Sequence, residues 1–450
     1  MPKNSLFPDG FLWGASTSAY QIEGSPLADG AGPSIWHRAS HTPGRIRNGE
    51  TGDIACDHYR RWRDDVALMK KIGLKGYRFS ISWSRIFPEG AGRVNQKGLD
   101  FYRALVDELG ENGITAMATL YHWDLPAALD DRGGWTNPDI PKWFAEYAST
   151  TYRALDHGVS FWATLNEPWV VMDGGYLRGG LAPGHQSPFE AMLVTHNLLL
   201  AHGEGVAAYR AEGKHQVGIV LNLEPKEPAS NSAEDVAAMR RADAYMNRQY
   251  LDPLFRGFYP EELIEIFGDG WRDFPAADFD VIRRDIDFLG INYYKRGIMK
   301  FDPNEPYERA TAVPQRGAVC TILGWESHAP SLEKLLLRVA NDYTKVPLYV
   351  TENGACFYDP PAAIDGRVED PLRIEYLRRH FLAASEAIRQ GVDLRGYFVW
   401  SLLDNFEWSQ GYEPRFGLIH VNYATQERTL KESAKFYAEV IQTNGQSLVK

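Results

Sequence analysis

Eight short, nearly continuous apolar runs punctuate the chain, at Phe11–Ser16, Gly76–Ser82, Thr115–His122, Phe161–Asn166, Val217–Leu223, Ile286–Tyr294, Pro347–Glu352 and Leu394–Leu402. Runs of this kind, rich in β-branched and aromatic residues, predict parallel strands covered on both faces. Between them, apolar positions recur with helical spacing at Tyr59–Ile72, Leu99–Asn112, Ile140–Leu155, Pro188–Gly213, Ala233–Tyr250, Ser331–Thr344 and Arg373–Gln390. Eight strands alternating with helices predict an α/β protein, a (β/α)8 TIM barrel. An open doubly wound sheet would usually show a Gly-rich nucleotide turn after its first strand, and this chain has none. Glu23–Asp57, Trp123–Pro138 and Lys295–His328 are long insertions rich in Gly, Pro, Trp and charge. In a barrel such elaborated βα loops cover the C-terminal face, where a substrate pocket forms. With no repeat, low-complexity tract or linker, residues 1–450 are expected to fold as a single barrel domain.

Composition narrows the partners. The 450 residues are 44% hydrophobic, and the formal net charge of −11 argues against a nucleic-acid or anionic-membrane partner. Cys56, Cys320 and Cys356 are odd in number and far apart, without the spacing of a zinc site or a disulfide framework. The N-terminal Met-Pro-Lys-Asn-Ser-Leu-Phe-Pro-Asp-Gly lacks the apolar core of a signal peptide, and no uncharged apolar run is long enough to span a membrane. A cytoplasmic location is expected. Oligomeric state is left open.

Two of the strands end in a glutamate. Thr164-Leu165-Asn166-Glu167-Pro168 closes the fourth and Val350-Thr351-Glu352-Asn353-Gly354 the seventh. Carboxylates on the ends of two barrel strands can face each other across one pocket, as cleavage of a glycosidic bond requires. Each has an ordinary alternative: Asn-Glu-Pro is common loop punctuation and Asn-Gly a common turn. Other strand ends carry Gln21, Arg78, His122, Asn292 and Tyr294, then Trp400 and Asp404-Asn405-Phe406-Glu407-Trp408. A sugar needs such a set, with polar groups for its hydroxyls and an indole face for its C–H surface. Singly, His122 could be a satisfied core histidine, Trp400 a core aromatic and Arg78 a helix-cap partner. Their gathering at strand termini is what those ordinary roles do not explain.

Over nearly its whole length the chain resembles the β-glucosidases of glycoside hydrolase family 1. The resemblance lies in Phe11-Leu-Trp-Gly-Ala-Ser-Thr-Ser-Ala-Tyr-Gln-Ile-Glu-Gly24, in Thr164–Pro168, in Thr351–Gly354 and in Trp400-Ser-Leu-Leu-Asp-Asn-Phe-Glu-Trp408. It implies retaining hydrolysis of a small-molecule β-glycoside with Glu167 as acid/base and Glu352 as nucleophile. It further implies that Gln21, His122, Asn166, Glu407 and Trp408 bind the non-reducing sugar on a Trp400 platform. Arg78, Asn292 and Tyr294 would surround the nucleophile; Trp325 would flank the leaving group, with Trp169 and Phe416 at the entrance. Arg78 and Tyr294 are expected to hold Glu352 ionised and its pKa low, while Glu167 keeps its proton.

Within the family, 6-phospho-β-glycosidases resemble a pattern with Ser, Lys and Tyr near the position of Glu407. Here the stretch Asn405–Phe416 presents Glu407, which would repel a phosphate, and Arg415 as the one nearby cation. The chain keeps a glutamate at 167, where plant thioglucosidases carry glutamine. A non-catalytic sugar-binding relative would usually lack one of the two glutamates; a transglycosidase would keep both. Glucosides and cello-oligosaccharides are the expected substrates, with β-galactosides and β-fucosides also accepted. The close histidine pairs His37/His41 and His196/His202 come without the carboxylate spacing of a known metal site, so they are assigned surface or packing roles. No metal and no cofactor is expected.

Overall fold

The eight apolar runs become strands β1 (Leu12–Ser16), β2 (Gly76–Ser80), β3 (Thr115–Tyr121), β4 (Val159–Asn166), β5 (Gln216–Asn222), β6 (Phe288–Asn292), β7 (Leu348–Asn353) and β8 (Leu394–Trp400). In this computed structural model, which describes residues 5–449, all eight run parallel and close into a barrel in chain order. Closure is direct: β1 pairs with β8, Ser16 opposite Trp400, and with β2, Ser16 opposite Arg78. Residues 1–4, the start of the N-terminal stretch read for a leader, and residue 450 lie outside the described residues. Among the described residues no helix is long and apolar enough to cross a membrane.

Each strand is followed by a helix packed outside the barrel: α1 (His58–Ile72), α2 (Gln96–Glu111), α3 (Ile140–Leu155), α4 (Pro188–Glu212), α5 (Ala233–Asp243), α6 (Ala329–Asp342), α7 (Pro371–Arg389) and α8 (Glu432–Gln442). The expected bounds hold to within a few residues because apolar periodicity sets the buried face. In α1, Trp62, Val66, Met69 and Ile72 are buried. Gly73, at φ 86°, then ends that helix in the left-handed conformation a C-terminal cap favours, its N–H reaching the Met69 and Lys70 carbonyls.

One expected helix is corrected. Ala233–Tyr250 is not a single α-helix: α5 stops at Asp243, a wider π-type stretch runs from Ala244 to Arg248, and Gln249–Phe255 resumes the α-helix. The Asp243 carboxylate accepts from Asn247, Arg248 and, out of α6, Arg338, pulling the chain off regular geometry. A second π-type stretch, Val171–Leu177, follows β4. Such widenings are frequent at functional sites, and Tyr245 on one donates to Asp173 on the other. The Lys295–His328 insertion adds two strands, Gly297–Phe301 and Ala310–Ala312, which with Lys226–Pro228 form a small sheet.

The barrel interior is layered. Leu12, Met117, Phe161, Val220, Phe288, Tyr349 and Phe398 pack together near the N-terminal end of the strands. Phe161, Phe288 and Tyr349 meet edge to face there, with ring centroids 5.2–5.7 Å apart. Farther along the same strands the buried residues turn polar: Arg78, Asn166, Asn292 and Glu352. Bulky apolar rings thus form a floor and charged groups sit above it, the arrangement that places barrel chemistry at strand C-termini.

Candidate active site

Above that floor opens a cavity of about 610 Å3, lined by Glu167, Glu352 and Glu407 together with His122, Asn292 and Tyr294. Trp169, Trp325, Trp400, Trp408 and Phe416 also line it. The remaining expected residues, Gln21, Arg78 and Asn166, do not line the cavity but bond to residues that do.

Glu167 directly follows β4, with φ 49° and ψ 61°, a left-handed backbone uncommon for a residue with a side chain. Its N–H donates to the Val220 carbonyl at 2.9 Å, so β5 holds this turn in place. Glu352 lies inside β7, where the register slips against both β6 and β8. Irregularities of this kind re-aim a side chain. The Asn353-Gly354 that follows is not an exposed turn. Asn353 is buried, donates to the Tyr293 carbonyl and Tyr376 hydroxyl, and accepts from Tyr397 at 2.5 Å. Gly354 is required for close approach: a Cβ there would sit 1.7 Å from the Trp400 carbonyl oxygen.

The two carboxylates have different partners. Arg78 donates one guanidinium nitrogen to Glu352 Oε1 and the other to Asn166 Oδ1, each at 2.6 Å. The Tyr294 hydroxyl donates to Glu352 Oε2 at 2.7 Å. Glu167 receives only the Asn292 amide, at 2.7 Å. That amide also bonds Asn166 Oδ1 at 3.0 Å. Thr351 Oγ1 fixes its orientation by donating to Asn292 Oδ1 at 2.8 Å. Both carboxylates line the one cavity and are joined through Arg78, Asn166 and Asn292, so each feels the charge of the other.

Burial raises both acids. Glu167 is pushed up to about 8 by desolvation and then by the charge of Glu352, with Asn292 and Arg78 opposing. Glu352 is also raised by burial, contrary to the low value expected, because its enclosure outweighs the opposing Arg78 charge and the bonds from Arg78 and Tyr294. The order of ionisation survives, since the guanidinium and hydroxyl make Glu352 the better home for a negative charge. Tyr294, raised far above its ordinary value by burial and by Glu352, remains a donor. Glu407 is pushed up to about 8 by burial and Glu352, with the Gln21 amide opposing. His122 is held neutral by burial and Arg78; its Nε2 pairs with Asn166 at 3.1 Å and its buried Nδ1 has no partner.

The far wall is built by the chain after β8. Gln21 donates to Asn405 Oδ1 at 3.0 Å and to the Phe406 carbonyl at 2.9 Å, and its oxygen accepts from Ser18 at 2.6 Å. Asp404 and Asn405, candidates for sugar contact in the sequence, turn inward instead. Asp404 accepts from the fully buried Lys431 at 2.6 Å and from Arg415 at 2.8 Å, which commits the one cation of the Asn405–Phe416 stretch. Trp408 packs 4.8 Å from Trp123, and His122 is stacked 5.9 Å from Trp400.

Several lining residues escaped the sequence reading: Trp123, Asn222, Glu224, Lys226, Tyr245, Lys295 and Glu308. Asn222 ends β5 and carries the same strand-end signal used for the others; Trp123, Lys295 and Glu308 lie in the long insertions expected over the pocket, while Glu224, Lys226 and Tyr245 have no local signal. Lys226 donates to Glu224 at 2.5 Å, and with Lys295 it holds that carboxyl below its ordinary value against the upward push of burial. Burial lifts Glu308 up to about 7, with Arg178 opposing.

Comparison with known proteins extends the geometry to the whole chain. The model of a family described as Glycosyl hydrolase family 1 matches residues 3–446. "Beta-glucosidase A" of Thermotoga maritima is 49% identical over 441 residues, 98% of each chain. A "1,4-beta-D-glucan glucohydrolase" of Thermotoga neapolitana is also 49% identical, across 98% of this chain and 99% of its own. A solved family 1 β-glucosidase from T. maritima in complex with isofagomine lactam superposes with a TM-score of 0.95 at 48% identity, covering 98% of this chain and 100% of that one.

Proposed function

The chain belongs to glycosyl hydrolase family 1, and on that premise we propose that it is a retaining β-glucosidase. It removes the terminal non-reducing β-D-glucosyl residue of small β-glucosides and cello-oligosaccharides, and accepts β-galactosides and β-fucosides as well. The observation that carries the reading is the unequal support of two adjoining carboxyls: Glu352 against a guanidinium and a phenol, Glu167 against one amide. The names of its relatives, and the sugar-like lactam bound by one of them, support the same substrate class.

Glu167, protonated at neutral pH, donates its proton to the glycosidic oxygen as the bond breaks. Glu352 attacks the anomeric carbon from the opposite side and forms a glycosyl ester. Esterification abolishes its charge and with it one cause of the raised Glu167 pKa. Glu167, left as a carboxylate by the first step, stays ionised more readily and takes a proton from the incoming water, whose oxygen bonds the anomeric carbon as the ester to Glu352 breaks. Asn166 already accepts Arg78 and Asn292 on its Oδ1, so its Nδ2 is the group to give to the sugar 2-hydroxyl, a contact worth several kcal/mol in this class. Glu407, positioned by Gln21 behind it, takes the remote hydroxyls over Trp400 and Trp408. Glu407, together with an Arg415 committed to Asp404, supports an unphosphorylated sugar. A cytoplasmic place of action is part of the same proposal, a compartment that keeps an exposed free thiol such as Cys320 reduced.

The test is chemical rescue. Glu352→Gly should lose turnover of an aryl β-glucoside and regain it with azide, giving an α-configured glycosyl azide. Undiminished hydrolysis by the variant, or a β-configured rescue product, removes Glu352 from the nucleophile role.

A further inference from the structure

Behind the Trp408 wall, three side chains outside the cavity converge on one point. His37 lies on the short helix Ile35–Ser40 and His41 caps its end, so their spacing of four sets both imidazoles on one face, with ring centroids 4.3 Å apart. The carboxylate the sequence spacing lacked is supplied by the fold: Asp53, from the turn that follows, reaches both rings. His37 Nδ1, His41 Nε2 and a carboxylate oxygen of Asp53 all lie within 4.8 Å of one another.

The protons do not satisfy this arrangement. His41 Nδ1 lies 2.7 Å from the His37 carbonyl oxygen, which accepts only, so Nδ1 carries the hydrogen. His41 Nε2 therefore turns its lone pair on Asp53 Oδ2, 3.0 Å away. On the other side, His37 Nδ1 and Asp53 Oδ1 face each other at 3.6 Å, both buried and both without a hydrogen-bond partner. A proton on His41 would answer the first contact and leave the second as it stands. One divalent ion answers both: bonds of ~2.0–2.2 Å to imidazole nitrogen and carboxylate oxygen suit the 3.0 and 3.6 Å contacts to Asp53, and the two rings close on the ion as it binds. The hydrogen bond from His41 Nδ1 to a backbone carbonyl is also the outer contact that orients a metal-bound imidazole.

The geometry points to a site for a divalent first-row transition metal, Zn2+ or Co2+, held by His37, His41 and Asp53 and completed by water. Two imidazoles and one carboxylate select such an ion over Ca2+ or Mg2+. The ion clamps the helix Ile35–Ser40 to the Asp53 turn. Trp36 of that helix packs 4.5 Å from Trp408, and Ser40 bonds the Tyr20 hydroxyl at 2.8 Å, so the clamp braces the back of the sugar wall. It supplies no group to the reaction.

The experiment uses the untagged full-length chain, stripped with a chelator and titrated with ZnCl2 by calorimetry. One Zn2+ per chain is expected, with binding weakened about tenfold or more in His41→Gln and Asp53→Asn and unchanged in Cys320→Ser, which removes the exposed thiol. His41 and Asp53 are 44% and 43% exposed, so both substitutions leave the core untouched, and circular dichroism verifies folding. Zn2+ should raise Tm in the parent chain and not in His41→Gln. The Co2+ form should show visible bands of nitrogen and oxygen ligands without thiolate charge transfer. Absence of stoichiometric binding, an affinity in either ligand variant equal to that of the parent chain, or a thiolate spectrum overturns the site, and none of these outcomes bears on glucoside hydrolysis.

Discussion

Replacing Glu352 with glutamine isolates the electrostatic step on which the double displacement turns. The carboxamide keeps the shape of the side chain and deletes its charge, as esterification by a sugar does. Glu167 sits at about 8 partly because of that charge. Two unit charges ~5.5 Å apart interact by ~3 kcal/mol at an effective dielectric constant of ~20, equivalent to ~2 pH units. Arg78, losing its 2.6 Å partner, presents its charge more fully to the cavity and pushes in the same direction. Glu167 should therefore titrate nearer ~6 in Glu352→Gln. Carbon-13 NMR of glutamate-labelled protein, assigned with Glu167→Gln and Glu407→Gln, reads the midpoint directly. A Glu167 midpoint unchanged from the parent chain would refute the argument, because the base required for the second step would then have no reason to appear.

In the parent chain, kcat/KM for an alkyl β-glucoside should fall on the alkaline side with a midpoint near about 8, as Glu167 loses the proton it must donate. A dinitrophenyl glucoside, whose leaving group departs unprotonated, should not show that fall; identical profiles for the two substrates contradict the assignment. Gly354→Ala places a methyl group 1.7 Å from the Trp400 carbonyl oxygen, and neither side of the contact is a flexible side chain. Overpacking of this kind costs about 1–3 kcal/mol or more, so both Tm and kcat should drop. A variant as stable and active as the parent shows that the β7 and β8 ends move freely.

The barrel was legible because eight strands buried on both faces leave an unmistakable apolar signature, and Glu167 and Glu352 because each sits where such a run stops. Ala233–Tyr250 misled because its periodicity is helical throughout, while the widened turn accompanies the Asp243 bonds to Asn247, Arg248 and, on another helix, Arg338. The Lys226–Pro228 strand, and the Glu224, Lys295 and Glu308 that line the cavity beside it, depend on pairing across the Lys295–His328 insertion, which no local pattern encodes. Asp404 and Asn405 show the limit in the other direction. Polar residues after a strand suggested sugar contact, yet their partners Lys431 and Gln21 make them internal ties. The direction of the Glu352 shift was likewise hidden, since a sequence names its ion-pair partner but not the depth at which the pair is enclosed.

The aromatic plug of Phe161, Phe288 and Tyr349 at the base of the barrel reaches beyond packing. It seals the lower end of the chamber, so nothing passes along the barrel axis and the two acids are met only from the loop side. In the proposed reaction the sugar leaves by the side it entered, where Trp325 and Phe416 line the cavity.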